Sequence, residues 1–145
     1  MRILNKKLLY ISVWCILLYA ISGHVFADSI NEAVEAGKVE YQRSCQLCHG
    51  VTGKGDGIYA SKLIIKPADL TILAKSNNGT IPIPSIYRMI DGTDDMLFHG
   101  GKRMPIWGDH YHSESINDIG PDSAETFVRG RIFELLLYLD TLQVP

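Results

Sequence analysis

A chain of 145 residues has room for one domain of ordinary size and hardly for two. Apolar residues make up 46% and charged residues 21%, a globular balance that excludes disordered, coiled-coil and collagen-like chains. With 14 Lys and Arg against 16 Asp and Glu the net charge is -2, and there is no basic patch of the kind that binds nucleic acid.

Residues 1–27 read as an export signal. Arg2, Lys6 and Lys7 precede 14 uncharged residues from Leu8 to Ile21, and Val25 and Ala27 stand two apart before Asp28. A membrane span takes about 20 apolar residues, so the expectation is cleavage after Ala27, a mature domain over 28–145 and a periplasmic location. An uncleaved N-terminal anchor is the alternative. Cys15 follows Trp14 and not a small residue, which argues against a lipoprotein site. Cleavage removes three basic residues and no acidic one, leaving 11 against 16 and a net charge of -5. Such a product suits a partner with a basic surface. Of the three cysteines only Cys45 and Cys48 then remain.

The mature chain opens on a helix expected over about Ile30 to Arg43. Ser29 and Glu32 match a capping box, and Ala33, Gly37, Tyr41 and Cys45 recur every four residues. A glycine inside a helix costs about 1 kcal/mol relative to alanine. Gly37 therefore points to a close approach by another backbone. Gly50 to Gly57 is a glycine-rich loop. Short helices are expected in "DLTILAKS" and in "SIYRMIDG", the latter stopped by Gly92. The stretch from Thr93 to Ser123 carries loop signals throughout, and its part over 109–123 reads as a polar surface loop. The last segment is the strongest helix, with Phe127, Val128, Ile132, Leu135, Leu136 and Leu139 near a 3.6-residue period. No strand of any quality appears. So much loop around so few helices implies a site within the loops.

"CQLCHG", from Cys45 to Gly50, carries the chemistry. C-x-x-C-H is the attachment signal for haem c. Two thiols on one side of a helical turn can bond two vinyl groups on one porphyrin edge, and His49 then lies beneath the ring as an iron ligand. A thioredoxin-like redox pair would need a strand–helix setting that this chain lacks. A zinc site would need His110 and His112 to join Cys45 and Cys48. A plain disulfide across two residues would be strained. For a second axial ligand the candidates are Met89, Met96, Met104, His99, His110 and His112. Met104 stands out in "GGKRMPIWG", where Pro105 stiffens the backbone behind it; His99 is the bis-histidine alternative.

The sequence resembles the class I, single-haem bacterial c-type cytochromes. "CQLCHGVTGKGDG", "KPADLT", "HGGKRMPIWG" and "RIFELLLYLDTLQ" fall in that family's order, from about Glu32 to Gln143. The resemblance implies an all-α cytochrome c fold, short helices and long loops packed around one haem covalently bound through Cys45 and Cys48. It implies His49 and Met104 as axial ligands, and Pro67 offering its carbonyl to the free ring N–H of His49, although Lys66 stands where the family usually has glycine. Gly37 and Tyr41 would cross the last helix near Leu135 and Tyr138. Trp107 and Arg103 become candidates for haem propionates, and Ile64, Ile65 and Leu70 for covering the haem faces. The implied function is electron transfer in the periplasm by a monomer that catalyses no bond change, with a reductase, oxidase or dehydrogenase as its redox partner. The alternatives are a subunit of a membrane-associated dehydrogenase or oxidase complex, and a haem enzyme or gas sensor with an open axial site.

Overall fold

The computed structural model describes residues 28–93 and 104–144. The expected export signal over 1–27 lies outside them, as do Arg103, Met96 and His99. Contacts divide the chain between Ala33 and Val34. In the first unit, residues 28–33 are helical, so Ser29 lies within helix and not at a cap.

The second unit opens with helix α1 over residues 34–40. A π-helical turn follows at Tyr41–Cys45, then one α-turn, α2, at Gln46–His49. Single 3₁₀ turns at Ala60–Lys62, Leu70–Ile72 and Lys75–Asn77 punctuate the next stretch. Three longer helices complete it: α3 Ile83–Asp91, α4 Trp107–Ile119 and α5 Pro121–Thr141. Among the described residues there is no strand, and no helix is long and apolar enough to cross a membrane.

Local chemistry explains the boundaries. Gly92 ends α3 in the left-handed region at φ 89°, its N–H on the Arg88 carbonyl, where a side chain would be strained. Gly120 at φ 77° ends α4, and Pro121 begins α5 at a position where its missing N–H costs nothing.

The core is the inner face of α5 against α1, α3 and α4. Ala124, Val128, Ile132, Leu135, Leu136 and Leu139 are buried, as are Tyr41 and Tyr111 opposite them. Phe127, expected on the same stripe, is instead 46% exposed. Each buried aliphatic side chain stabilises the fold by about 1.5–3 kcal/mol relative to exposure.

The crossing expected at Gly37 is present. A Cβ there would stand 2.0 Å from the Glu134 carbonyl oxygen and 3.0 Å from the Leu135 nitrogen, so α1 and α5 touch backbone to backbone. One turn on, the Tyr41 and Tyr138 rings meet at 5.3 Å between centroids.

The polar loop expected over 109–123 is a correction: it is helical, forming most of α4 and the start of α5. The reason is a narrow buried face. Only Gly108, Tyr111 and Ser115 of α4 are buried, and two of these are too small to register as an apolar period. Gly108 is small because α3 ends against it: a Cβ there would meet the Asp91 carbonyl oxygen at 2.4 Å.

Candidate functional site

The π-helical turn delivers both cysteines. Its wider ring, closed by the Gln46 N–H on the Tyr41 carbonyl, inserts one residue into the helix and re-aims the side chains beyond it. Cys45 is 8% exposed and packs in the core, whereas Cys48, three residues on, is half-buried; both are unpaired thiols. Burial above all, and then the nearby Glu40 carboxylate and Cys48 sulfur, push the Cys45 thiol up to about 12. A redox-active C-x-x-C pair needs a thiol shifted the other way, which counts against that reading.

The glycine-rich loop then folds back over α2. The last carbonyls of so short a helix have no partners within it. Here the Tyr59 N–H bonds Leu47 at 3.0 Å, the Gly57 N–H bonds Cys48 at 3.1 Å and the Gly55 N–H bonds His49 at 2.8 Å. Such closeness excludes side chains: a Cβ at Gly57 would lie 2.3 Å from the Leu47 oxygen. Gly55, at φ 73°, has the Pro67 carbonyl on its other side, 2.2 Å from where a Cβ would be. The Leu70 N–H reaches the Gly53 carbonyl at 2.7 Å, and the Tyr41 hydroxyl donates to the Gly50 carbonyl at 2.6 Å. The turn, the loop and the segment over 67–70 thus form one hydrogen-bonded layer.

That layer fixes His49. Its Nδ1 lies 3.0 Å from the Ala68 carbonyl oxygen, which leaves Nε2 as the ring nitrogen free to bind. Pro67 was expected to supply this acceptor; the acceptor is the next residue, because the Pro67 carbonyl is turned against Gly55. Burial lowers the His49 pKa, opposed by the bond to Ala68, so the imidazole is held neutral, the state in which it can act as a ligand.

Met104 is half-buried and packs against the core cluster just before α4. Trp107, the first residue of α4, joins the same cluster and stacks on Tyr111, with centroids 5.9 Å apart and planes 29° apart. His110 is committed elsewhere on α4: its Nε2 is 3.3 Å from Glu114, and its ring meets Trp107 edge-on at 5.5 Å. Leu70 also joins the core. Ile64, by contrast, is 100% exposed, and Ile58, Tyr59, Leu63 and Ile65 leave further apolar surface open in the same segment.

These residues fit a covalently held haem. Two free thiols lie three residues apart in helical turns, a neutral imidazole directly follows the second, and its outer nitrogen is already oriented by backbone. The apolar side chains left open between the loop and Pro67 suit a ligand with apolar edges.

A buried ionic cluster was not legible in the sequence. Glu40, 6% exposed, accepts from the Ser44 hydroxyl, from the Tyr111 hydroxyl at 2.8 Å and from Arg131 Nε at 2.7 Å. Arg131 also donates to Glu114 at 2.7 Å, and Arg43 reaches Glu114 at 2.5 Å. The Arg131 guanidinium lies 4.2 Å over the Tyr111 ring. The available signal was faint: an arginine beside the apolar stripe of α5, facing a glutamate in the stripe-bearing part of α1.

The family model described as cytochrome C oxidase, cbb3-type, subunit III matches residues 32–120. The chain is also similar to cytochrome c-555 of Methylococcus capsulatus, 25% identical over 87 residues that cover 56% of this chain and 71% of that protein. No solved structure matches it.

Proposed function

We propose that this chain, which belongs to the family described as cytochrome c oxidase, cbb3-type, subunit III and so is a c-type cytochrome, is an exported single-haem electron carrier. Cys45 and Cys48 hold the group by thioether bonds, and His49 and Met104 supply the axial ligands. When bound, the haem supplies a one-electron cycle between Fe(II) and Fe(III).

The observation that carries this reading is the bond from His49 Nδ1 to the Ala68 carbonyl. It orients the imidazole, fixes its tautomer and strengthens Nε2 as a donor. The residues around it serve rigidity. The layer of backbone bonds over 47–70 leaves the ligand little freedom to move between oxidation states. Met104, seated in the core cluster before α4, offers a soft thioether that favours the ferrous state. Held between His49 and Met104, the iron would have no position open to oxygen or peroxide.

Upstream, Arg2, Lys6, Lys7 and the apolar run after them support export, with cleavage after Ala27 and a periplasmic product. Redox proteins are then the partners. The family description favours a second reading, in which the same domain serves within an oxidase complex. Fractionation separates the two: a carrier is released with the periplasmic contents, a subunit stays with the membrane.

Ligation is tested by the optical spectrum of the purified ferric protein. The expected result is a low-spin spectrum with the near-infrared methionine-to-iron band. A high-spin spectrum without that band would overturn the assignment of Met104.

A further inference from the structure

Glu40 sits five residues before Cys45, on the helix that carries it, and only 6% of its surface is exposed. A carboxylate so placed stays ionised only if its donors outweigh the loss of water. Here they do. Burial pushes its pKa up, but the bonds from Ser44, Tyr111 and Arg131 together bring it below the usual carboxylate range. Arg131 sits across from it, with Nη2 2.6 Å and Nε 2.7 Å from the same carboxylate oxygen. Packing alone does not call for this arrangement. Apolar side chains of similar volume would join α1, α4 and α5 at least as firmly as a buried ion pair.

The charges of the cluster are not equally screened. The Arg43 side chain is 57% exposed and that of Glu114 28%, whereas that of Glu40 is 8%. Arg131, at 13%, is nearly as buried as Glu40; of this pair Glu40 is the one on the helix that carries Cys45, so its field reaches that turn through protein, where it falls off least. Ser44, one of its donors, is the residue immediately before Cys45.

We propose that Glu40 is a potential-setting residue: a buried carboxylate locked to the turn that presents Cys45, biasing the group held there toward its more positive, oxidised state. The inference rests on the reading that Cys45 carries haem, and adds to it a residue that touches neither the iron nor a ligand. Ser44, Tyr111 and Arg131 tune the charge by sharing it, and Glu114 competes with Glu40 for Arg131.

The test is the reduction potential of purified holoproteins, each first shown by intact mass to carry covalent haem and by optical spectrum to keep the wild-type axial signature. Glu40→Gln keeps the shape and removes the charge. At a fixed redox poise its reduced-to-oxidised ratio should rise, on the order of three- to tenfold. Glu40→Asp keeps the charge and should stay near wild type. Tyr111→Phe removes one donor and leaves the carboxylate less neutralised, so its ratio should fall. These opposite signs separate a charge effect from a structural one, which would move all three variants the same way. No rise in the glutamine variant, a matching rise in the aspartate variant, or a rise in Tyr111→Phe would overturn the proposal. Should Glu40→Gln fail to fold, the sign in Tyr111→Phe decides. A wild-type chain without covalent haem would sink the underlying reading and this one with it; a haem-bearing wild type whose variants do not move sinks this one alone.

Discussion

Replacing Gly37 with alanine sets two effects of opposite sign against each other. Glycine to alanine inside a helix gains about 1 kcal/mol from backbone propensity. The new methyl, however, would stand 2.0 Å from the Glu134 carbonyl oxygen, where an ordinary contact begins near 3.4 Å. The shortfall is about 1.4 Å, and the obstacle is the backbone of α5, not the end of a flexible side chain. The helices must part, and a gap of 0.5–1 Å already forfeits a quarter to a half of each dispersion contact. Tyr41, Leu135 and Tyr138 lie at the crossing and would lose most. Overpacking of this kind costs about 1–3 kcal/mol and occasionally more; a clash with rigid backbone belongs at the upper end, so less the gain of about 1 kcal/mol Gly37→Ala should be destabilised by roughly 2 kcal/mol and a valine by more. Gly130, a turn earlier on α5, is the internal control: among the described residues no atom outside its own helical turn lies within 4 Å of a Cβ built there. Gly130→Ala should gain up to about 1 kcal/mol. The assay is guanidinium unfolding of the holoproteins followed by helical circular dichroism, with slopes checked for constancy. An alanine at 37 that matches or exceeds wild type would refute the backbone-contact argument.

Other expectations rest on the same geometry. Met104→Ala should retain covalent haem but bind carbon monoxide in the ferrous state; reactivity unchanged from wild type, read by absorbance, would discard Met104 as ligand. Gly55→Val meets both a positive φ of 73° and the Pro67 carbonyl at 2.2 Å, so it should lose the layer that holds His49 and lower the yield of holoprotein at a given expression level. Acid should destabilise the fold through Glu40 and Glu114. Both pKa values lie below the ordinary 4.5: at Glu40 its donors outweigh burial, and at Glu114 the bond from Arg131 leads. Their contribution is therefore complete above about pH 4.5 and is lost as pH falls from there through the folded-state values. A double Glu40→Gln, Glu114→Gln variant should show a flatter fall in unfolding midpoint below that pH, and an equally steep fall would contradict the assignment.

The features legible in the sequence share a physical pattern. Cys45, Cys48 and His49 are picked out as candidates by residue type at fixed spacing, which needs no knowledge of the fold. Gly37 was readable because a helix-interior glycine is costly and needs a reason, and α5 because five apolar residues, Val128, Ile132, Leu135, Leu136 and Leu139, repeat along its buried face. The α4 helix was not, since its inner face is Gly108, Tyr111 and Ser115 and the rest is polar. The acceptor for His49 was displaced by one residue because backbone direction at Pro67 depends on Gly55, a partner distant in sequence. Glu40 and Arg131 were invisible for the same reason: 91 residues separate them, and each alone looks like a solvated charge.

One haem bonded through two sulfurs to this polypeptide would show at once in the intact mass of the protein exported from a host able to attach haem. The expected product is a chain beginning at Asp28, heavier than its polypeptide by one haem, with the extra mass confined to the peptide holding Cys45 and Cys48. A colourless product whose mass equals that of the polypeptide alone would contradict it.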